Sequence, residues 1–141
     1  MQPVILWSLI GLLYRAADAI RRRGYRADHG RLGEDLAHRY LRSKGCTVVA
    51  RNYRTKSGHG EIDLVAWHSG TLVFVEVKTR ATAGFGDPGR AVDVEKRENL
   101  RRAARDYARR AEIPWEKTRF DIVSIVLEDK TRLEWTRGAF R

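Results

Sequence analysis

The spacing of apolar residues changes period along the chain, and each change predicts an element. From Arg31, Leu32, Leu36 and Tyr40, with Ala37 and Leu41, recur at i, i+4. That is the stripe of an amphipathic helix, and Gly45 is placed to stop it. Thr47 to Arg54 is rich in β-formers, Ser57-Gly58-His59-Gly60 turns the chain, and Glu61 to Trp67 reads as a second strand. The two should form a hairpin. His68-Ser69-Gly70 turns again into Thr71 to Lys78, whose continuous apolar start predicts a strand buried on both faces. A three-stranded antiparallel meander is expected.

Arg80 to Arg90 holds Gly84, Gly86, Pro88 and Gly89 and reads as a loop. Asp93 to Ala111 is the longest helical pattern, with Val94, Leu100, Ala103, Ala104, Tyr107, Ala108 and Ala111 on its apolar side. After Pro114, Phe120 to Leu127 reads as a strand pairing with the third, and Arg132 to Trp135 as a short edge strand. The order is α-β-β-β-α-β, an α/β fold with a mixed sheet flanked by helices. Ahead of it, Val4 to Tyr14 is apolar but far short of the ~20 residues needed to span a bilayer, and Arg15 to Arg26 follows as a basic hem. Arg21-Arg22-Arg23 stands where a signal-peptide cleavage site would need small residues, so secretion is not expected. This divides the chain into an N-terminal apolar helix and linker, 1–28, with Gly24 to Gly30 as linker, and a main domain, 29–141. Segment 4–26 fits an anionic membrane surface, and equally fits packing on the domain or on a second copy.

Composition narrows the partners. The 141 residues suit one core, and 43% hydrophobic with 33% charged residues excludes disordered and collagen-like chains. The net charge of +10 attracts polyanions, nucleic acid above all. Cys46 is the sole cysteine, which excludes an intramolecular disulfide, points to a core position and a reducing, cytoplasmic setting.

The chemistry is concentrated where the third strand stops being apolar. Leu72, Phe74, Glu76 and Lys78 alternate onto one face, so a carboxylate and an amine project together at the end of a buried strand. A bare E-x-K is common as a solvated ion pair. Here Asp63, flanked by Ile62 and Leu64 in the hairpin neighbour, can lie beside Glu76. Two carboxylates in one partly buried place repel unless a cation sits between them, and oxygen ligands suit Mg²⁺ or Mn²⁺. Lys78 points at the same place, where a lysine beside a hard metal suits phosphodiester hydrolysis.

Gly33-Glu34-x-x-Ala37, Gly60-Glu61-Ile62-Asp63-Leu64-Val65-Ala66, Val75-Glu76-Val77-Lys78-Thr79-Arg80 and Phe85-Gly86-Asp87-Pro88, in this order, resemble the bacterial YraN family. That family is assigned to the PD-(D/E)XK nuclease superfamily and is similar to archaeal Holliday-junction resolvases. The resemblance covers residues 30–137 and implies a restriction-endonuclease-like core. It implies that Asp63 and Glu76 are metal-binding acids, Lys78 the catalytic lysine, and Glu34 the first-helix acid completing the metal shell. The chain departs from the pattern at Ile62, where the superfamily's name has proline, and at Arg97, where relatives often carry glutamine.

On the substrate side, the second long helix carries Lys96, Arg97, Arg101, Arg102, Arg105, Arg109 and Arg110 against Glu95, Glu98 and Asp106. Lys96, Arg97, Arg101 and Arg105, with Arg80 and His59, are the candidates for phosphate contact. A solvated face of helical ion pairs is the alternative. The four histidines show no metal-ligand spacing, and there is no P-loop, G-x-S-x-G or zinc signature. The expected function is metal-dependent hydrolysis of nucleic acid, with DNA, branched or otherwise structured, as the substrate. A nucleic-acid-binding module that keeps the fold without cutting is the alternative, and whether a homodimer is required stays open.

Overall fold

The structure, a computed structural model, describes residues 30–81 and 94–141. Gly33–Arg141 forms one compact unit, divided from Met1–Leu32. Helix α1 is described over residues 30–43. Strands β1 (Thr47–Arg54), β2 (Glu61–His68) and β3 (Thr71–Arg80) follow, then helix α2 (Val94–Arg110), a short 3-10 turn Trp115–Lys117, and strands β4 (Thr118–Leu127) and β5 (Thr131–Phe140). The strands form one mixed sheet in the order β1-β2-β3-β4-β5. β3 and β4 are parallel and the other neighbours antiparallel. The parallel pair requires a crossover, and α2 lies within it.

The continuous apolar run predicted for the third strand is explained by burial on both faces. On one face, Leu100, Ala103, Ala104 and Ala108 of α2 pack against Ile62, Val65, Leu72, Phe74, Phe120 and Ile122. On the other, Ala37 and Leu41 of α1 pack against Cys46, Leu64, Ala66, Val73, Val75, Val123 and Ile125. Cys46 is a free, buried thiol, pushed up by burial and then by Asp121, which disfavours the thiolate. Gly45, at φ +88°, ends α1 as expected. Among the described residues no helix is long and apolar enough to cross a membrane.

Three expectations are corrected. The last strand is a full ten residues, not the short edge of Arg132 to Trp135. Its pattern is hidden by a bulge, where Phe120 faces Phe140 but Ile122 faces Thr136, and by Gly138 at φ +58° inside it. Leu32 is 46% exposed and leaves the stripe of α1 at Leu36. Gly30, read as linker, is helical. The apolar segment 4–26, residues 24–29 and the motif Phe85-Gly86-Asp87-Pro88 lie outside the described residues.

Two glycines set how closely the helices approach. A Cβ at Gly33 would meet the Thr79 hydroxyl, a side-chain atom that can rotate away. A Cβ at Gly60 would stand 2.5 Å from the backbone carbonyl of Asn99 in α2, which cannot. Gly60→Ala should therefore destabilise the fold by about 1–3 kcal/mol, read as a lower urea midpoint at unchanged slope. A midpoint equal to wild type would mean that α2 does not seat on this turn.

Candidate active site

The site begins where β2 and β3 part. Their ladder runs from His68 opposite Thr71 to Leu64 opposite Val75 and stops there. Beyond it β2 stays with β1 as far as Glu61, while β3 stays with β4 as far as Arg80. A fork opens between them. Asn52 of β1, at φ +49°, lies between the pairs Arg51–Leu64 and Tyr53–Ile62, directly across from Asp63. This kink shifts the side-chain parity of β2, so that Ile62 and Val65 share the α2 face while Leu64 packs on the other. Asp63 is thereby freed from the alternation. Its Oδ2 accepts from the Val77 amide at 2.8 Å, taking the bond that the ended ladder leaves to β3.

Glu76 stands across the fork, 5% exposed, within hydrogen-bonding reach of Asp63. The two carboxyls cannot both ionise cheaply. Burial, then the Glu76 charge, pushes Asp63 up to about 8, against the opposing Val77 hydrogen bond. Lys78 Nζ lies 3.6 Å from Glu76 Oε1, and Lys96 from the first turn of α2 contacts the same oxygen. Burial, then neighbouring Lys96, holds the Lys78 amine below its usual range. Burial alone would lower Lys96 as well, but the Glu76 carboxylate outweighs it and raises it.

Of the predicted site residues, the structure thus brings together Asp63, Glu76 and Lys78. Glu34 is adjacent rather than central. It is held by Asn52 Nδ2 at 3.1 Å and Arg51 at 3.7 Å, and its charge is felt at Asp63. Among the described residues no three acidic, histidine or cysteine side chains close on one point. A divalent cation would be held by Asp63 and Glu76, with solvent or substrate oxygens supplying the remainder. The donor set fits a hard cation: two carboxylate oxygens, and a proton retained on Asp63 where positive charge is wanted.

The candidate phosphate contacts separate. Lys96 joins the acids. It also lines a cleft of about 440 Å³ with Arg54, His59, Glu61, Asn99 and Leu100. Arg97 packs over the Phe140 ring, Arg105 over Trp115 at 4.8 Å, and Arg101 bonds Glu98 and the Arg141 carbonyl. Arg97 and Arg101 thus meet the end of β5 and Arg105 the 3-10 turn, while Arg80 is half-buried at the end of β3. Sequence reasoning missed Asn52, Arg51 and Asn99 as parts of the site. An asparagine inside a β-rich run was the available signal for the kink, since asparagine tolerates positive φ.

The raised Asp63 sets the sign of a pH effect. Its proton leaves more readily from the unfolded chain, so the metal-free fold loses stability as pH rises from the ordinary carboxylate range through about 8. The melting temperature in EDTA should fall across that window, and Asp63→Asn should flatten the fall. A wild-type profile already flat would show that Asp63 is not protonated there.

The class is therefore a mixed α/β domain with two helices and a five-stranded sheet that carries an acid pair and two lysines at a strand fork. The model of the uncharacterised protein family UPF0102 matches residues 33–125, and the chain belongs to that family. A UPF0102 protein of Solibacter usitatus is 67% identical over 132 residues, 94% of this chain and 100% of that one. Another from Koribacter versatilis is 44% identical over 92% of each chain. A third, from Nocardia farcinica, is 43% identical over 79% of this chain and 87% of its own.

Proposed function

We propose that the protein is a divalent-metal-dependent nuclease with a restriction-endonuclease-like core of the PD-(D/E)XK kind, hydrolysing phosphodiester bonds in DNA of branched or otherwise structured form, in the cytoplasm. The observation that carries this reading is the Asp63–Glu76 pair in the strand fork with Lys78 beside it. The two acids repel each other in one nearly buried place, and the proton held on Asp63 marks where a divalent cation would relieve them.

Mg²⁺ or Mn²⁺, when bound, supplies electrophilic pull on a phosphate oxygen and acidifies an attacking water. The protein's own groups do the rest. Asp63 is fixed by the Val77 amide, so its free oxygen is aimed by backbone rather than by a mobile rotamer. Lys78, on the strand and partly buried, is held below its usual range by burial and by Lys96, and stands where an ammonium would stabilise a phosphorane's charge. The net charge of +10 and the cleft beside Lys96 favour a phosphate polymer over a small ester. Among the described residues no base-reading module is visible, and the net charge of +10 supports recognition led by shape and charge.

The test is cleavage of labelled four-way, flap, single-stranded and linear duplex DNA, and of RNA, with Mg²⁺, Mn²⁺ or EDTA. Cutting that needs the metal supports the reading and ranks the substrates. Salt-sensitive binding without cutting under any metal would replace it with the nucleic-acid-binding module.

A further inference from the structure

We propose that Lys96 is an exchangeable counterion: it holds the Glu76 carboxylate while the acid pair lacks a divalent cation, and passes to a substrate phosphate in the adjoining cleft when a cation takes its place. This rests on the metal-dependent reading and adds to it the coupling between metal and substrate occupancy.

Two lysines meet one Glu76 oxygen, and they are not equivalent. Glu76 is 5% exposed and has little water to stabilise its charge, so its neighbours must balance it. Lys78 rises from a central strand paired on its β4 side, and its side chain is 22% exposed. Lys96 rises from the first turn of a surface helix and is 43% exposed. Its four-carbon stem and compact ammonium suit a change of partner.

The second position for that ammonium is already built. Lys96 lines the cleft of about 440 Å³ with Arg54, His59, Glu61 and Asn99, where Arg54 is paired with Glu61 at 3.3 Å, so the Lys96 ammonium would bring a net positive charge to it. It is the one residue of the acid cluster among those that line this cleft. Charge balance supplies the direction of exchange. A dication entering with both ammoniums in place would set three positive groups against two acids, and the more mobile one is repelled toward the cleft. Once there it attracts phosphate. Metal and polyanion then strengthen each other's binding, and linkage makes the effect reciprocal.

The test measures Mn²⁺ binding to the full-length protein by titration calorimetry at fixed pH and low salt, alone and with a nuclease-resistant phosphorothioate duplex. Lys96→Met should bind Mn²⁺ alone about tenfold more tightly than wild type, and Lys96→Arg, which keeps the charge, should stay near wild type. The duplex should tighten Mn²⁺ binding to wild type at least about fivefold and leave Lys96→Met unchanged. Matched melting curves identify the folded variants. Equal Mn²⁺ affinity in wild type and Lys96→Met, or equal enhancement by the duplex, overturns the counterion while leaving metal-dependent cleavage intact. Absence of Mn²⁺ binding in every variant removes the metal-dependent reading and the counterion with it.

Discussion

Glu76→Gln should lower metal-dependent cleavage on the order of a thousandfold or more while the protein folds as well as wild type or better. The two readouts move apart for one reason. Glu76 is nearly buried and forces Asp63 to keep a proton. A neutral amide of the same shape relieves that repulsion, so the fold gains what the cation site loses. Asp63, relieved of that repulsion, can ionise and balance the two ammoniums that Glu76 gives up, whereas a purely structural Glu76 would lower the melting temperature and leave cleavage unchanged. Lys78→Met provides the companion measurement, with kcat expected to fall on the order of a hundredfold or more and DNA binding little changed. Cleavage surviving in Glu76→Gln would place the chemistry elsewhere on the protein.

A second large effect is expected far from the fork. Asp121 is fully buried in β4 and accepts from Arg119 Nε at 2.7 Å and Nη2 at 2.8 Å, Trp135 Nε1 at 2.8 Å and the Gly138 amide at 2.9 Å. The Gly138 amide reaches it because the bulge of β5 turns the backbone inward there. Asp121→Ala leaves a half-buried guanidinium, an indole N–H and a backbone N–H without their acceptor. The expected cost is about 3–5 kcal/mol, read by urea denaturation, and it should be independent of Mg²⁺. A cost under about 1 kcal/mol would mean that water replaces the carboxylate and that this network adds little to the fold.

The contrast between these two acids shows what the sequence could carry. Glu76 and Lys78 were legible because alternation along an apolar strand makes a charged pair conspicuous, and Asp63 because hairpin neighbours must lie side by side. The meander, both helices and the β3–β4 pairing were legible from the same periodicities. Asp121 was not, since a single acid in the run Phe120-Asp121-Ile122-Val123 has nothing local to announce four donors, two of them arriving from β5. Lys96 was legible as a cation but not as a partner of Glu76, because a helix pattern gives the face of a residue and not the rotation at which the helix docks. Arg97, Arg101 and Arg105 show the same limit: spacing put them on one stripe, and packing turned that stripe toward Phe140 and Trp115. The kink at Asn52, which frees Asp63, is a backbone event that periodicity cannot express.

The irregularities of β1 and β5 have one more consequence. These are the two outer strands of the sheet, and each carries a bulge, at Val49 in the first and around Gly138 in the second. Arg51 and Arg54 stud one margin and Arg132 and Arg137 the other. A flat outer strand with open amides invites another chain to extend the sheet, whereas a bulged, cationic one repels it. On the proposed function, copies of this basic chain would be concentrated along a nucleic acid, where two such margins would oppose edge-to-edge pairing.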